Sequence, residues 1–207
     1  MKYKLTEETK DYFGRTLHRI VCVTAFANVA AGDFGGWIES EKNLDQCGNA
    51  WVYGNAKVYG NAKVSGDALV HGNAEVYGDA EVSGDAKVCG DAEVYGNAKV
   101  SGDAWVHGNA KVYGNAEVCG NAKVSGDALV HGDADYIVLK NNWSSGRYFT
   151  YTSSNKMWKV GCFFGTGEEL IQKAYADSEL SGRCYEASVK YVEELIRIKE
   201  GLKCRTE

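Results

Sequence analysis

Between Gly48 and Asp133 apolar and polar positions alternate on a strict schedule. The phrase Gly-(Asn/Asp)-Ala-x-Val-x recurs with almost no drift, and fifteen glycines fall at every sixth position from Gly48 to Gly132. A fixed short period is the signature of a solenoid. In Ala56-Lys57-Val58-Tyr59, Ala and Val are two apart and share one face of an extended segment, while Lys57 and Tyr59 share the other. Gly60-Asn61 supplies turn chemistry, because Gly takes positive φ freely and Asn tolerates it. Each hexad therefore predicts a short strand and a corner, around an interior that receives only Val and Ala.

The pattern resembles the hexapeptide-repeat proteins, which fold as left-handed parallel β-helices with three hexads to a triangular coil. The resemblance implies about five coils and the left hand, whereas the general rule for parallel crossovers favours the right. With strands about 4.8 Å apart, the prism is only about 24 Å long. An eighteen-residue coil sorts the outward residues into three faces. The first carries Trp51, Leu69, Lys87, Trp105 and Lys123 beside Tyr53, His71, Cys89, His107 and Ser125. The second carries Lys57, Glu75, Glu93, Lys111 and Leu129 beside Tyr59, Tyr77, Tyr95, Tyr113 and His131. The third carries Lys63, Glu81, Lys99, Glu117 and Asp135 beside Ser65, Ser83, Ser101 and Cys119. The third reads as a solvated wall of alternating sign. The first exposes Trp51, Tyr53, Leu69, His71, Trp105 and His107, an expensive surface for a monomer, and is the expected subunit contact. The family resembled implies a trimer.

The flanks do not repeat. Residues 1–47 are expected to form an N-terminal β cap over the open solenoid end, with strands at Tyr3–Leu5 and Leu17–Ala25 and a turn at Phe13-Gly14-Arg15. Ile38 and Leu44 fall in register with the inward Ala column. Residues 48–135 are the β-helix and residues 136–207 a small α+β domain. The latter reads as a meander of three strands (136–140, 147–152 and 156–160) and two helices. Thr166 with Glu169 predicts the first helix start, and Leu170, Ile171, Ala174 and Tyr175 its apolar stripe. The second helix is expected over 181–200, with Gly201 ending it. The fold class is thus mainly β.

Composition adds limits. The net charge is −5 with both signs interspersed, which argues against a nucleic-acid binder. No apolar run is long enough to span a bilayer, and the N-terminus lacks a signal-peptide core. A soluble, cytoplasmic protein is expected. Seven cysteines fit a reducing compartment. Cys47 and Cys119 share a column four coils apart, so they do not bridge, and Cys89 lies on another face.

Candidate chemistry is sparse. Hexapeptide-repeat proteins are often acyltransferases, with a histidine near loops that interrupt the coils. Here the coils run uninterrupted, and His71, His107 and His131 occupy ordinary outward positions without a visible orienting neighbour or pocket. Some relatives bind zinc through three histidines between subunits, but His71 and His107 lie two coils, about 10 Å, apart, too far for one ion. No metal and no cofactor is expected. The stacked Tyr59, Tyr77, Tyr95 and Tyr113 read as aromatic packing, and Asp67, Asp85 and Asp103 as a solvated corner. The C-terminal domain gathers aromatics beside cations and a glycine-rich turn into a helix. Arg147, Tyr148, Tyr151, Lys156, Trp158, Lys159 and Thr166 are the candidate ligand-binding residues, for a small anionic or nucleotide ligand.

The order of parts also resembles phage and prophage hexapeptide-repeat proteins. The segments that carry this are Thr16-Leu-His-Arg19 with Gly35-Gly-Trp-Ile-Glu-Ser40, the hexads, and Ser154-Asn-Lys-Met-Trp-Lys-Val160 with Gly165-Thr-Gly-Glu-Glu-Leu170. The expectation is a non-enzymatic oligomeric binding protein that sequesters a nucleotide-type signal in counter-defence. The alternatives are an inhibitor of a host protein and an acyltransferase.

Overall fold

The computed structural model describes residues 1–203. The chain divides into two compact units, the first Met1–Tyr136 and the second starting at Ile137. The first unit is a β-solenoid of about five turns. Two-residue strands from Trp51–Val52 to Leu129–Val130 pair in parallel with the strand one coil on, as in Lys57↔Glu75 and Glu93↔Lys111. Backbone hydrogen bonds tie each strand to the next coil, for example Trp51 N to Ala68 O at 3.0 Å and Tyr53 N to Val70 O at 2.8 Å. The inward valines and alanines of the hexads are at most 1 % exposed. Corner glycines hold left-handed backbone where coils approach closely. At Gly84 φ is +67°, and a Cβ would meet the Gly102 nitrogen at 2.9 Å.

The three faces are those the period predicts, with one departure. Asp135 leaves the third face. Residues Asp133–Asp135 form a 3-10 turn, and the Asp135 Oδ2 accepts from the His131 and Gly132 N–H groups.

The N-terminal segment extends the second face. Strands β1 (Tyr3–Tyr12) and β2 (Arg15–Cys22) form a hairpin that turns at Phe13-Gly14, and β3 (Phe34–Ile38) follows antiparallel. β3 then pairs in parallel with the Lys57–Val58 strand. Here the expected register is corrected. Ile38 pairs with Val58 and Leu44 with Val64, so both join the Val column and not the Ala column. Leu44 reaches a partner twenty positions on, whereas Trp51 pairs with Leu69, eighteen positions on. The two surplus residues lie in the corner between Leu44 and Trp51.

That corner is held by Lys2. Its ammonium donates to the carbonyls of Ala50 at 2.9 Å, Cys47 at 3.3 Å and Gly48 at 3.4 Å, and sits 5.1 Å from the Phe26 ring centroid. The same covering segment overturns an expectation about the first face. Trp51 is fully buried, edge-on to Tyr3, Phe26 and Tyr53 with centroids 6.2, 5.5 and 6.4 Å away.

In the second unit the meander has four strands in chain order, Tyr136–Lys140, Tyr148–Thr152, Met157–Val160 and Phe163–Gly165. The last adds a fourth strand to the three that the alternation predicts. Its residues Phe163, Phe164 and Gly165 pair with Val160, Lys159 and Trp158, completing the free edge of the third strand. Helix α1 (Gly167–Asp177) starts at Thr166, whose hydroxyl accepts from Glu169 N. Helix α2 (Glu179–Lys203) follows directly, because the Ser178 side chain caps it by accepting from Ser181 N at 3.1 Å. It begins earlier than expected and runs through Gly201, a cost of about 1 kcal/mol that a long helix absorbs. Phe149, Tyr151, Trp158, Leu170, Ala174, Tyr185, Val189 and Val192 form the core.

Replacing Lys2 by Met strands three carbonyls at the solenoid end. The expected cost is about 2 kcal/mol, read as a lower urea midpoint for Lys2→Met with an unchanged slope.

Candidate functional site

The second unit holds a pocket of about 320 Å³ between its sheet and α2. Strand alternation puts Tyr151 and its cross-strand partner Trp158 on the helix side. Both are largely core, 7 % and 2 % exposed, so they offer edges and not open ring faces. Lys156, in a left-handed turn with φ 56°, brings a cation to the rim. From α2 come Val192, Glu193, Ile196, Arg197 and Glu200, the 3–4 spacing of one helix face. The Arg197 guanidinium is engaged by Glu194 at 2.8 and 2.9 Å. Burial, then Glu193 and Glu200, pushes the Tyr151 phenol up from its ordinary pKa, so it stays a neutral hydroxyl.

Three of the seven predicted ligand residues, Tyr151, Lys156 and Trp158, meet at this pocket. Lys159 pairs with Thr150 and Phe164 and points from the opposite sheet face, as alternation requires. Tyr148 is exposed, with Lys140 Nζ 5.4 Å from its ring centroid. Arg147 is exposed beside the Gly161 turn. Thr166 is occupied as the α1 cap, bonded to both the N–H and the carboxylate of Glu169. Sequence reading missed Glu193, Arg197 and Glu200. Their signal was present, as charges flanking the apolar stripe of the second helix.

On the first solenoid face, Trp105 is 36 % exposed; Tyr53, Leu69, His71 and His107 are half-buried. The register of the Leu69, Lys87 and Trp105 strands stacks His71, Cys89 and His107 in one column. Trp105 lies across it, donating from Nε1 to Cys89 Sγ at 3.1 Å, with its ring 4.7 Å from that of His107. Beside this column a shallow groove of about 700 Å³ runs between Leu69, Lys87, Trp105 and Lys123 and the corner carboxylates Asp67, Asp85 and Asp103. Burial, then the Lys87 cation, lowers the His71 pKa, which keeps the imidazole in its neutral, basic form. Neither His71 nor His107 is among the residues that line the groove. Among the described residues, no cluster of three or more His, Cys, Asp or Glu side chains is placed to hold a metal ion, and the six described cysteines are free thiols.

The second face is occupied by its own side chains. Tyr59, Tyr77, Tyr95 and Tyr113 stack with centroids 5.0, 4.9 and 5.2 Å apart and planes within 10°. Their ring faces are thus spent on each other. Tyr59 donates to Glu75 at 3.0 Å and Tyr77 to Glu93 at 2.9 Å, while Lys57 and Lys111 pair with the same carboxylates at 3.0 and 2.8 Å.

The family-model match lies within the solenoid. A family model described as the YdcK beta solenoid repeat matches residues 56–72 and 92–108. The chain is similar to a protein of Escherichia coli (strain K12) called an uncharacterized acetyltransferase, YdcK, with 37 % identity over 60 residues, 25 % of this chain. It spans only 18 % of that relative's length. These matches place the chain among repeat β-solenoids and correct the expectation of a non-enzymatic protein, since the matched relative is named as an enzyme. No described helix is long and apolar enough to cross a membrane.

Burial and hydrogen bonds to Glu75 and Glu93 raise the pKa values of Tyr59 and Tyr77, and that of Tyr12 to about 12. A phenol titrating higher when folded than when unfolded contributes stability below about pH 10 that is lost as pH rises toward the folded value. The solenoid should therefore weaken above about pH 10. Tyrosinate absorbance should show a group of phenols ionising only as it unfolds.

Proposed function

We propose that the second unit binds a nucleotide-type anionic molecule, and that the solenoid is the rigid body presenting it. The observation that carries this reading is the meeting of Lys156 and Arg197 with the Tyr151 and Trp158 edges in one pocket. The cations suit phosphate oxygens, with Arg197 exchanging Glu194 for the ligand. Glu193 and Glu200 suit ribose hydroxyls or a base amine, which donate to carboxylates. A volume of about 320 Å³ accommodates a nucleotide head with the rest of the ligand outside. Within this class, nucleotide-bearing acyl thioesters are favoured by the acetyltransferase name of the matched relative. Sequestration of a signal in a counter-defence setting uses the same pocket and differs in showing no turnover.

For acyl transfer, His71 in its neutral form is the general-base candidate. The first face is proposed as the contact of a trimer through Leu69, His71, Trp105 and His107, with Tyr53 at its margin.

Isothermal titration with ADP and acetyl-coenzyme A should show binding that Lys156→Ala with Arg197→Ala weakens at least about tenfold, the loss of roughly 1.4 kcal/mol. Equal affinity in the double variant rejects the pocket. Thiol release from acetyl-coenzyme A that His71→Gln abolishes, with binding retained, supports transfer; binding without thiol release supports sequestration. Trp105→Asp should convert the oligomer to monomers by light scattering, and an unchanged mass rejects that face as the contact.

A further inference from the structure

Helix α2 carries two apolar stripes, and the core uses one of them. Tyr185, Val189 and Val192 point into the second unit. On the opposite side Leu180, Tyr191, Leu195 and Ile198 are 60, 54, 37 and 49 % exposed. With the exposed Ala187 and the half-buried Cys184 they recur every three or four residues, so they form one line along the helix. That line is about 27 Å long. A contiguous apolar strip left in water marks a contact surface.

The order of residues in the strip selects its partner. The small side chains, Cys184 and Ala187, lie in its N-terminal half, and Tyr191, Leu195 and Ile198 fill its C-terminal half, with Leu180 at the far end. A second α2 running antiparallel, related by a two-fold axis near Ser188, sets Tyr191 opposite Cys184 and Ala187. It also sets Leu180 opposite Leu195 and Ile198. Large residues then meet small ones in the middle and aliphatic residues meet at both ends. A parallel pair sets tyrosine against tyrosine and alanine against alanine.

Charge makes the same selection. The flank beside the strip reads Glu179, Arg183, Glu186, Lys190, Glu194 and Arg197, alternating in sign at every step. Within one chain these close as Arg183–Glu179 at 2.7 Å, Lys190–Glu186 at 2.7 Å and Arg197–Glu194 at 2.8 Å. Reversing the order exchanges acids for bases. In an antiparallel pair, where this flank faces its own copy, Glu179 therefore meets Arg197, Arg183 meets Glu194 and Glu186 meets Lys190, all about the same point near Ser188. A parallel pair sets the flank against the other side of the strip, where Ser181 and Ser188 offer no charge.

We propose that the outer face of α2 is a docking surface for a second copy of this chain, packed antiparallel on its own counterpart in an isologous two-fold contact. The strip, about 27 Å by about 10 Å, is well below the roughly 800 Å² that each partner of a stable complex buries. The pairing is accordingly weak and is populated in concentrated protein. It is a separate contact from that of the first solenoid face.

The test uses the full chain carrying Trp105→Asp, so that the first face does not contribute. In sedimentation equilibrium its mass should rise toward twice the dilute value between about 5 μM and about 500 μM. Tyr191→Lys should hold the mass at the dilute value throughout. Glu186→Lys and Lys190→Glu should each shift the rise to at least about tenfold higher concentration. An equal mixture of those two variants should restore it, because the substituted residues meet each other across the two-fold axis. The readout is a ratio of masses of one variant, so it is independent of the first-face contact and of the second-unit pocket. A mass that does not change with concentration overturns the proposal. So does a doubling that survives Tyr191→Lys, or a mixture that associates no better than either charge variant alone.

Discussion

The interior of the repeated coils is narrow and filled by Val and Ala, with Ile38 and Leu44 joining the Val column only ahead of the first hexad, and the rest of the first unit follows from that. Every inward hexad position is essentially sealed from solvent. A larger side chain would have to spread three walls at once, and overpacking costs about 1–3 kcal/mol even in ordinary cores. The corners are equally tight, since a Cβ at Gly84 meets the next coil's backbone. Variation is therefore driven outward, and each outward residue meets its counterpart one coil away. Asn61 donates to Asp79 at 3.0 Å and Asn109 to Asp127 at 2.9 Å, so at these corners a donor stands one coil from an acceptor, unlike the column of Asp67, Asp85 and Asp103. The tyrosine stack and the Lys57–Glu75 pair are the same rule applied to faces.

That rule explains what was legible in the sequence. A period of six with three hexads to a coil sorts residues without knowledge of any contact, and the strand pairing follows it from Trp51 to Leu129. It failed where the chain stops repeating. Trp51 belongs to the first-face column by arithmetic, yet the non-periodic segment bearing Tyr3 and Phe26 buries it. Ile38 and Leu44 shift columns because two residues are added at one corner, and a surplus in a corner leaves no mark on the pattern of inward residues. In the second unit, a three-residue strand at Phe163–Gly165 is too short to show alternation. Its pocket draws on residues some forty positions apart, Tyr151 and Glu193 among them, which no local pattern links.

His71 and Lys10 share one electrostatic arrangement. Each is a nitrogen base partly removed from water, with a lysine ammonium close by, Lys87 for one and Lys57 for the other. In both, desolvation is the larger cause and the neighbouring cation the second. Elsewhere the columns do the reverse. Lys111 above Glu93 forms a pair at 2.8 Å and its amine is raised, not lowered. Where opposite charges are stacked the ammonium is held charged, and where a base is buried near a like charge its neutral form is favoured.

This bears on whether an unbroken solenoid suits chemistry at all. A general base needs a neutral form at working pH, a neighbour that holds it so, and space for a substrate. Loops that interrupt a coil are one way to provide these. A column of eighteen-residue period is another, since it sets a histidine at a fixed distance from whatever residue the adjoining coil carries. The groove beside Trp105 is lined by Leu69, Lys87, Lys123 and the corner residues Asp67, Asp85, Asp103 and Asn121, all from regular hexads. Nothing in such a site departs from the repeat, so a search for irregularities passes over it. The informative feature is which outward residues are neighbours one coil apart, and on the first face these are a tryptophan, a thiol and two imidazoles.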